Sequence, residues 1–547
     1  MPQTRRGLDV NVDELDQVLE RERSALSAGT YEKLRTAVEA LRYLEELVAD
    51  QTVTMAELRR LIVIHRGTEK TREVLRRAGL EAEQPPCPSP TMGVLDGTPR
   101  ASVPGHGRTG AAAYPGAQRI AVLHETLRRG DRCPTCAKGK LYPLKDPKRQ
   151  IRFVGQASVM ATIYERERLR CNLCNDMFTA ATPAGVGDEK YDPTTASTIA
   201  ELKYGSGVPF YRVAGLQARH GIPLPESTQC EIVQEVAGKL QPVQEELIRQ
   251  AAQGEVLHND DTGATILALK HEAPSDAAPG SSRTGTFTSA IVARAAGHQI
   301  ALYFTGRKHA GENLAAVLAH RAAALAPPIQ VCDALARNLP KPLAVLLANC
   351  LAHGRRQFVE VAPNFPVECK HVLETLGEIY RYDEQARAQA LSPEDRLRFH
   401  QTHSSPVMTA LHTWLIAQLD EHRVEPNSGL GRAMRYLLNH WEPLTLFLRV
   451  PGVPLDNNIA ERALRKAILN RKNALFYKTA NGARAGDLFM SLIHTCELCG
   501  VNSFDYLTEL QRHAADLAMN PGDWLPWNYR ETLARVRASE SEHGPAP

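Results

Sequence analysis

No stretch of the 547 residues approaches the roughly 18 uninterrupted apolar positions that a bilayer requires, so no transmembrane helix is expected. The opening, MPQTRRGLDVNVDELD, turns acidic where a secretion signal would carry an apolar core, so export is not expected and a cytoplasmic protein is. Internal repeats are missing. Overall charge is slight, at +3, and by itself says little about partners. Cysteine is sparse, with eleven residues, and without an export signal metal binding or packing is favoured over a disulfide framework. What remains is an ordinary soluble composition, 43% hydrophobic and 23% charged, in a chain too long for one core.

The weak net charge hides two basic concentrations. Arg119 to Cys174 holds thirteen Lys or Arg against five Asp or Glu, and Val450 to Lys478 holds six against two. Basic patches are what a phosphate backbone requires, although most charge runs are simply solvated faces.

Residues 12 to 80 carry helical, amphipathic patterning. Leu34, Leu41 and Val48 recur at heptad spacing with Ala37 and Leu44 between them, as in a short coiled-coil seam or a packed helical pair. Thr54 and Glu57 form a capping box, with Val53 set to staple against Leu58. Residues 82 to 118, rich in Pro, Gly, Ala and Ser, read as a linker, and "ASESEHGPAP" as a disordered tail. From 255 the pattern changes. "EVLHNDDTGATILAL", "TFTSAIVAR" and "HQIALYFTG" predict three strands, "AGENLAAVLAHRAAALA" a helix and "PIQVCDA" a fourth strand. Residues 340 to 450 predict helix without a strand, and helix resumes after Asp456.

Two motifs carry chemistry. Cys133 and Cys136 in "CPTC", with Cys171 and Cys174 in "CNLC", are two CxxC knuckles suited to tetrahedral structural zinc. The gap between them calls for a small β-rich insert, for which "QIRFVG" and "ATIYERERLR" are the candidate strands, and the basic surroundings suit DNA. Cys496 and Cys499 repeat the spacing inside an apolar helical run and read as packing. The second motif is carboxylate. Phosphodiester chemistry by two Mg²⁺ about 4 Å apart needs acids converging from separate elements. Asp260 lies on the first predicted strand and Asp333 ends the fourth. In "PLDNNIAERALRK", Asn458 is placed to cap a helix that holds Glu461 in its first turn, while Asp456 reads as a turn residue. Alternation along the strand favours Asp260 over Asp261, which should face the other way.

Several stretches together resemble the IS66-family transposases: "LHNDDTG", "YFTGRKHAGENL", "VCDALARN", "CLAHGRRQF", "THSSP", "PLDNNIAERALRKAILNRKNALFY", "GHGRTGAAAYPGAQRI" and "GDRCPTCAKGKLY". The resemblance implies a DDE-type, ribonuclease-H-like catalytic domain in which the first and fourth strands lie side by side. An α-helical insertion would precede the last acid. Asp260, Asp333 and Glu461 would be the catalytic acids and the magnesium ligands. His353, Arg355 and Arg356 match the family's His-x-Arg-Arg stretch and Arg462 and Arg465 its basic helix; with Arg471 and Lys472 they are the expected DNA contacts. Many members carry Asp-Glu-Thr where this chain has Asp260-Asp261-Thr262.

The expected fold is thus multidomain α+β. It comprises a helical, coiled-coil-like region (1–81), a flexible linker (82–118), a zinc-binding DNA-contact domain (119–180) and a helical connector (181–254). The ribonuclease-H-like core follows in two parts (255–360 and 451–515) around the α-helical insertion (361–450), with a C-terminal extension and tail (516–547). The expected function is that of a DNA transposase, cleaving and transferring strands at the ends of an insertion-sequence element. Its expected partners are double-stranded DNA at element ends and target, further copies in a synaptic complex, and small accessory proteins of the same element, in a nucleoid-associated setting without a membrane. The alternatives are a catalytically silent zinc-containing DNA-binding protein and another ribonuclease-H-like nuclease.

Overall fold

The computed structural model describes Tyr31, Arg35 and residues 126–132, 134–136, 138–142, 156–170, 177–187, 189–270, 285–341 and 345–543. Apart from Tyr31 and Arg35, both helical, the expectations for 1–118 lie outside these residues, as do "QIRFVG", Cys133, Cys171 and Cys174. No helix among the described residues is long and apolar enough to cross a membrane.

Strands β1 (Arg168–Arg170) and β2 (Met177–Thr179) form an antiparallel ribbon, so only the last three residues of "ATIYERERLR" are strand. Helix α1 (Pro193–Ala200) starts on Asp192, whose carboxylate accepts the Thr194 N–H, with Pro193 in the first helical position. It is followed by α2 (Phe210–Arg219) and the long α3 (Glu226–Ala252).

The sheet comes next: β3 (Val256–Ala264), β4 (Thr286–Ala295), β5 (His298–Gly306), β6 (Ile329–Cys332) and β7 (Leu346–Asn349). The β4–β5 reversal needs positive φ at both turn residues, supplied by Ala296 at 49° and Gly297 at 81°. Helix α4 (Ala310–Leu318) leads from β5 toward β6 and ends well short of the expected Ala326. The spatial order is β5-β4-β3-β6-β7, with β3, β4 and β5 antiparallel and β3, β6 and β7 parallel. β7 corrects the expectation of helix alone after 340. Its four residues, LLAN, are too few for a periodicity to separate strand from helix, and only pairing with β6 makes them a strand.

Helices α5 (Leu351–Val361), α6 (Pro366–Ala388), α7 (Pro393–Asp420) and α8 (Gly429–Asn439) follow. Then come α9 (Asn458–Ala474), α10 (Ala480–Leu498), α11 (Ser503–Arg512) and α12 (Tyr529–His543). α12 carries helix through Ala538 to His543, where a disordered tail was expected.

Among the described residues two apolar cores are buried. One joins α1, α3, α10 and α11 to β4 and β5, through Leu240, Leu247, Ile291, Tyr303, Phe489 and Leu507. Of the helices in 193–252, α3 packs directly on β4 and β5, and α1 and α2 pack on α3. The other, built by α5 to α8, lies against β6 and β7 through Val331, Ala348, Phe358, Leu373, Met408 and Leu437. An open edge strand invites unwanted pairing, and α10 closes the edge at β5 with side chains. Asp487, Ser491 and Thr495, one helical stripe at four-residue spacing, accept the N–H groups of Thr305, Tyr303 and Ala301 at 2.7, 3.0 and 3.1 Å. In the same helix Cys496 is buried as packing, and Cys499, just past its end, is half-buried.

Candidate active site

The parallel β3–β6 ladder ends at the rung His258↔Val331. Asp260 and Asp333 each lie two residues beyond that rung, so the acids leave neighbouring strands side by side where the backbone pairing stops. Strands so paired run about 4.8 Å apart. The third acid comes from α9. Asn457, just before that helix, accepts through Oδ1 from the His258 Nδ1 at 3.1 Å and donates through Nδ2 to the Asn259 carbonyl at 3.0 Å. Glu461 is one helical turn on from Asn457, as Asp260 is two strand residues on from His258. Both steps advance by about 6 Å, and the charges of Asp333 and Glu461 both act on Asp260.

This corrects the expected cap. The cap position is Asn457, not Asn458, and it makes no side-chain capping bond because its amide is committed to β3. The N–H of Asn458 is instead taken by the Asp456 carboxylate at 3.1 Å, the turn role expected for that residue. The segment is pinned from the other side as well: Leu351 N–H donates to the Leu455 carbonyl at 2.9 Å, and Asn457 N–H to the Cys350 sulfur at 3.2 Å.

Asp333 is held by a buried amide network absent from the sequence expectations. Asn338 Nδ2 and the Leu335 N–H both donate to the Asp333 Oδ1. Gln330 donates to Asn259 Oδ1 at 2.9 Å and to the Asn338 carbonyl at 2.7 Å, and Asn259 donates to that same carbonyl at 2.8 Å. Gly311 lets α4 lie against this segment, since a Cβ there would stand 2.4 Å from the Leu339 carbonyl oxygen. The amide nitrogens of Asn259, Gln330 and Asn338 all donate within this network, which stiffens it, while Gln330 Oε1 and Asn338 Oδ1 are buried without a hydrogen-bond partner.

Asp260 and Asp261 differ sharply. Asp261 faces the far side of β3, almost wholly buried, and is matched by His309 Nδ1 at 2.8 Å and Arg337 at 3.2 Å. Among the described residues no ion pair reaches Asp260, whose Oδ1 accepts the Asp261 N–H at 2.8 Å. Burial pushes the Asp260 carboxyl up to about 7, and the charges of Asp333, Asp261 and Glu461 push the same way against that one hydrogen bond. A carboxylate this destabilised in its charged form invites a cation.

Glu461 also meets His353, with Nε2 to Oε1 at 3.6 Å. The Cys350 sulfur, a His353 ring nitrogen and a Glu461 oxygen lie within 4.8 Å of one another, a further set of donors around the same acid. His353 Nδ1 is buried without a hydrogen-bond partner. Of the expected DNA contacts, Arg356, Arg462, Arg465 and Lys472 are exposed. Arg355 is half-buried, with its charge acting on the Tyr380 hydroxyl. Arg471 is committed to β3, donating to Thr262 Oγ1 at 3.1 Å and to the Gly263 carbonyl. Of the four knuckle cysteines only Cys136 is among the described residues. It is exposed and accepts the Gly139 N–H at 3.5 Å, in a turn closed by the Arg132↔Lys140 bridge.

Fold and site together define a mixed α/β protein with a carboxylate-lined centre at the middle of its sheet. The particular lineage follows from comparison. The chain belongs to the IS66 transposase family: the model described as "Transposase IS66 family" matches residues 189–485, a span that holds Asp260, Asp333 and Glu461. Membership makes it a transposase and brings a divalent-metal requirement. Similar proteins of Sinorhizobium fredii (strain NBRC 101917 / NGR234) carry no stated activity. Uncharacterized protein y4jD is 26% identical over 442 residues, covering 76% of this chain and 83% of that one. Uncharacterized protein y4hP is 27% identical over 394 residues, 68% of each chain.

Proposed function

We propose that this transposase cuts and rejoins DNA strands at the ends of an insertion-sequence element, with Asp260, Asp333 and Glu461 as the metal-holding acids of a ribonuclease-H-like core. The observation that carries the reading is Asp260: a buried carboxyl raised to about 7, with two further acids acting on it and no ion pair of its own among the described residues. The strand order, with one acid on the central strand and the next beyond its parallel neighbour, supports the fold reading.

Bound Mg²⁺ would supply activation of the attacking oxygen and stabilisation of the leaving oxygen. The chain's part is to hold its carboxylates ready. Asp333 is fixed by Asn338, Glu461 by the Asn457 clamp, and Asp260 by the rigid centre of β3. His353, beside Glu461, is placed to orient a phosphate or a water. Exposed Arg356, Arg462, Arg465 and Lys472 contact phosphates, which positions DNA without reading its sequence. The hairpins flanking both CxxC pairs support structural zinc on Cys133, Cys136, Cys171 and Cys174 in a DNA-gripping module. Synapsis of two ends calls for more than one copy, with the element's accessory proteins as further partners.

The test is nicking of a duplex carrying the element's end. Mg²⁺-dependent cleavage is expected in the wild type and background levels in Asp260→Asn, Asp333→Asn and Glu461→Gln, with DNA binding kept. Full activity in any of the three refutes the assignment, and a wild type that binds ends but never nicks them marks a silent DNA-binding protein.

A further inference from the structure

Helix α9 ends in a turn that the surrounding structure holds in an unfavourable conformation. Leu475 sits at φ 67° and ψ −42°, and the Phe476 N–H donates to the Ala474 carbonyl at 2.8 Å. This is a γ-turn of the positive-φ kind, which is rare and strained for a branched side chain. The turn is pinned at both ends. Leu475 N–H donates to the Arg471 carbonyl at 2.8 Å, and Arg471 in turn grips Thr262 and Gly263 of β3. Beyond the turn, Tyr477 N–H donates to the Thr265 carbonyl at 2.8 Å and Leu267 N–H to the Tyr477 carbonyl at 2.9 Å.

What this pinned turn displays is apolar. Leu475 is 66% exposed and Phe476 45%. Glycine would occupy such a turn without strain, yet the position carries a leucine turned to solvent. The charge flanking it in sequence is of one sign between Glu461 and Asp487: from Arg462 to Gly486 there are seven Lys or Arg and no Asp or Glu, and Lys472 and Lys478 stand exposed on either side of the pair. An apolar protein surface would have to meet those cations. Duplex DNA meets both features at once, with phosphates for the cations and stacked base steps for the apolar pair.

We infer that Leu475 and Phe476 form a wedge that enters the bound DNA between adjacent bases and unstacks one step. The inference rests on the transposase reading and adds to it a place where the duplex is deformed. Leu475 lies fourteen positions beyond Glu461, at the end of α9, about 21 Å away at 1.5 Å per residue. The unstacked step therefore lies within about six base pairs of the cleaved phosphate, at 3.4 Å per pair.

The test uses the full chain and duplexes of the element's end carrying one 2-aminopurine at successive positions around the cleavage point. With Ca²⁺ in place of Mg²⁺, the wild type is expected to brighten one or two adjacent positions several-fold. Leu475→Ala/Phe476→Ala should lose that signal while still binding the duplex. An abasic site at the bright position should restore nicking to the double variant in Mg²⁺. Leu475→Gly, which keeps the turn and relieves its strain, should fold at least as stably while dimming the signal. A wild type that nicks the end yet brightens no position overturns the wedge and leaves the transposase reading standing. One that neither binds nor nicks overturns both. Loss of self-association in the double variant with unstacking intact assigns the pair to a protein contact and also overturns the wedge.

Discussion

Replacing Asp260 by asparagine should make the metal-free protein more stable. The Asp260 carboxyl is raised from 3.8 to about 7, mainly by burial and then by the neighbouring acids. A shift of about three units at 1.36 kcal/mol each is a penalty of roughly 4 kcal/mol for the ionised form. The sign follows from linkage: the native state holds this proton more tightly than the unfolded state. The penalty is therefore complete above pH 7 and fades as the pH falls toward 3.8. Asparagine keeps the oxygen that accepts the Asp261 N–H and removes the charge. It should recover about 2–4 kcal/mol, several degrees of Tm in a protein of this size. The assay is thermal unfolding of both proteins without added Mg²⁺ at pH 8.5 and pH 5. The variant should melt higher at pH 8.5, with the gap narrowing at pH 5. Addition of 10 mM Mg²⁺ should raise the wild type by about 1.4 kcal/mol for a Kd near 1 mM, and leave the variant unmoved. A variant no more stable than the wild type at pH 8.5, or one stabilised equally by Mg²⁺, would refute the account of Asp260 as an acid awaiting a cation.

Asp261→Asn removes a buried charge already matched by His309 and Arg337. It should lower stability by about 1–3 kcal/mol while nicking survives; loss of nicking here with retention in Asp260→Asn would move the first acid to Asp261. Asn457→Ala strips a buried amide from His258 and the Asn259 carbonyl and loosens the start of α9. Urea unfolding should show a loss of about 1–3 kcal/mol, and nicking should need more Mg²⁺ because Glu461 is less firmly placed; an unchanged Mg²⁺ requirement would show that the clamp does not position Glu461.

Much of the sheet was legible in local pattern. The β-branched runs at 286–294 and 298–306 became β4 and β5 almost residue for residue. Alternation along β3 separated Asp260 from Asp261, because neighbouring strand residues face opposite sides whatever they pack against. The start of the basic helix was placed within a residue, but its cap was misassigned. Either asparagine of "DNN" can cap a helix, and the choice fell to Asn457's long-range bonds with β3.

Features set by spacing along the chain were legible without any folding: four strands and their helix, the two CxxC pairs, the basic helix behind Glu461 and the family. Those signals are local, carried by a period of two or 3.6 residues or by a fixed motif interval. The tertiary structure decided what depends on partners distant in the chain. Pairing with β6 made "LLAN" a strand, and the stripe Asp487, Ser491 and Thr495 closed the edge of β5. The buried amides Asn259, Gln330 and Asn338 fixed Asp333. A hydrogen bond between residues many positions apart leaves no periodic trace in the sequence, so these features became visible only where the chain folds back on itself.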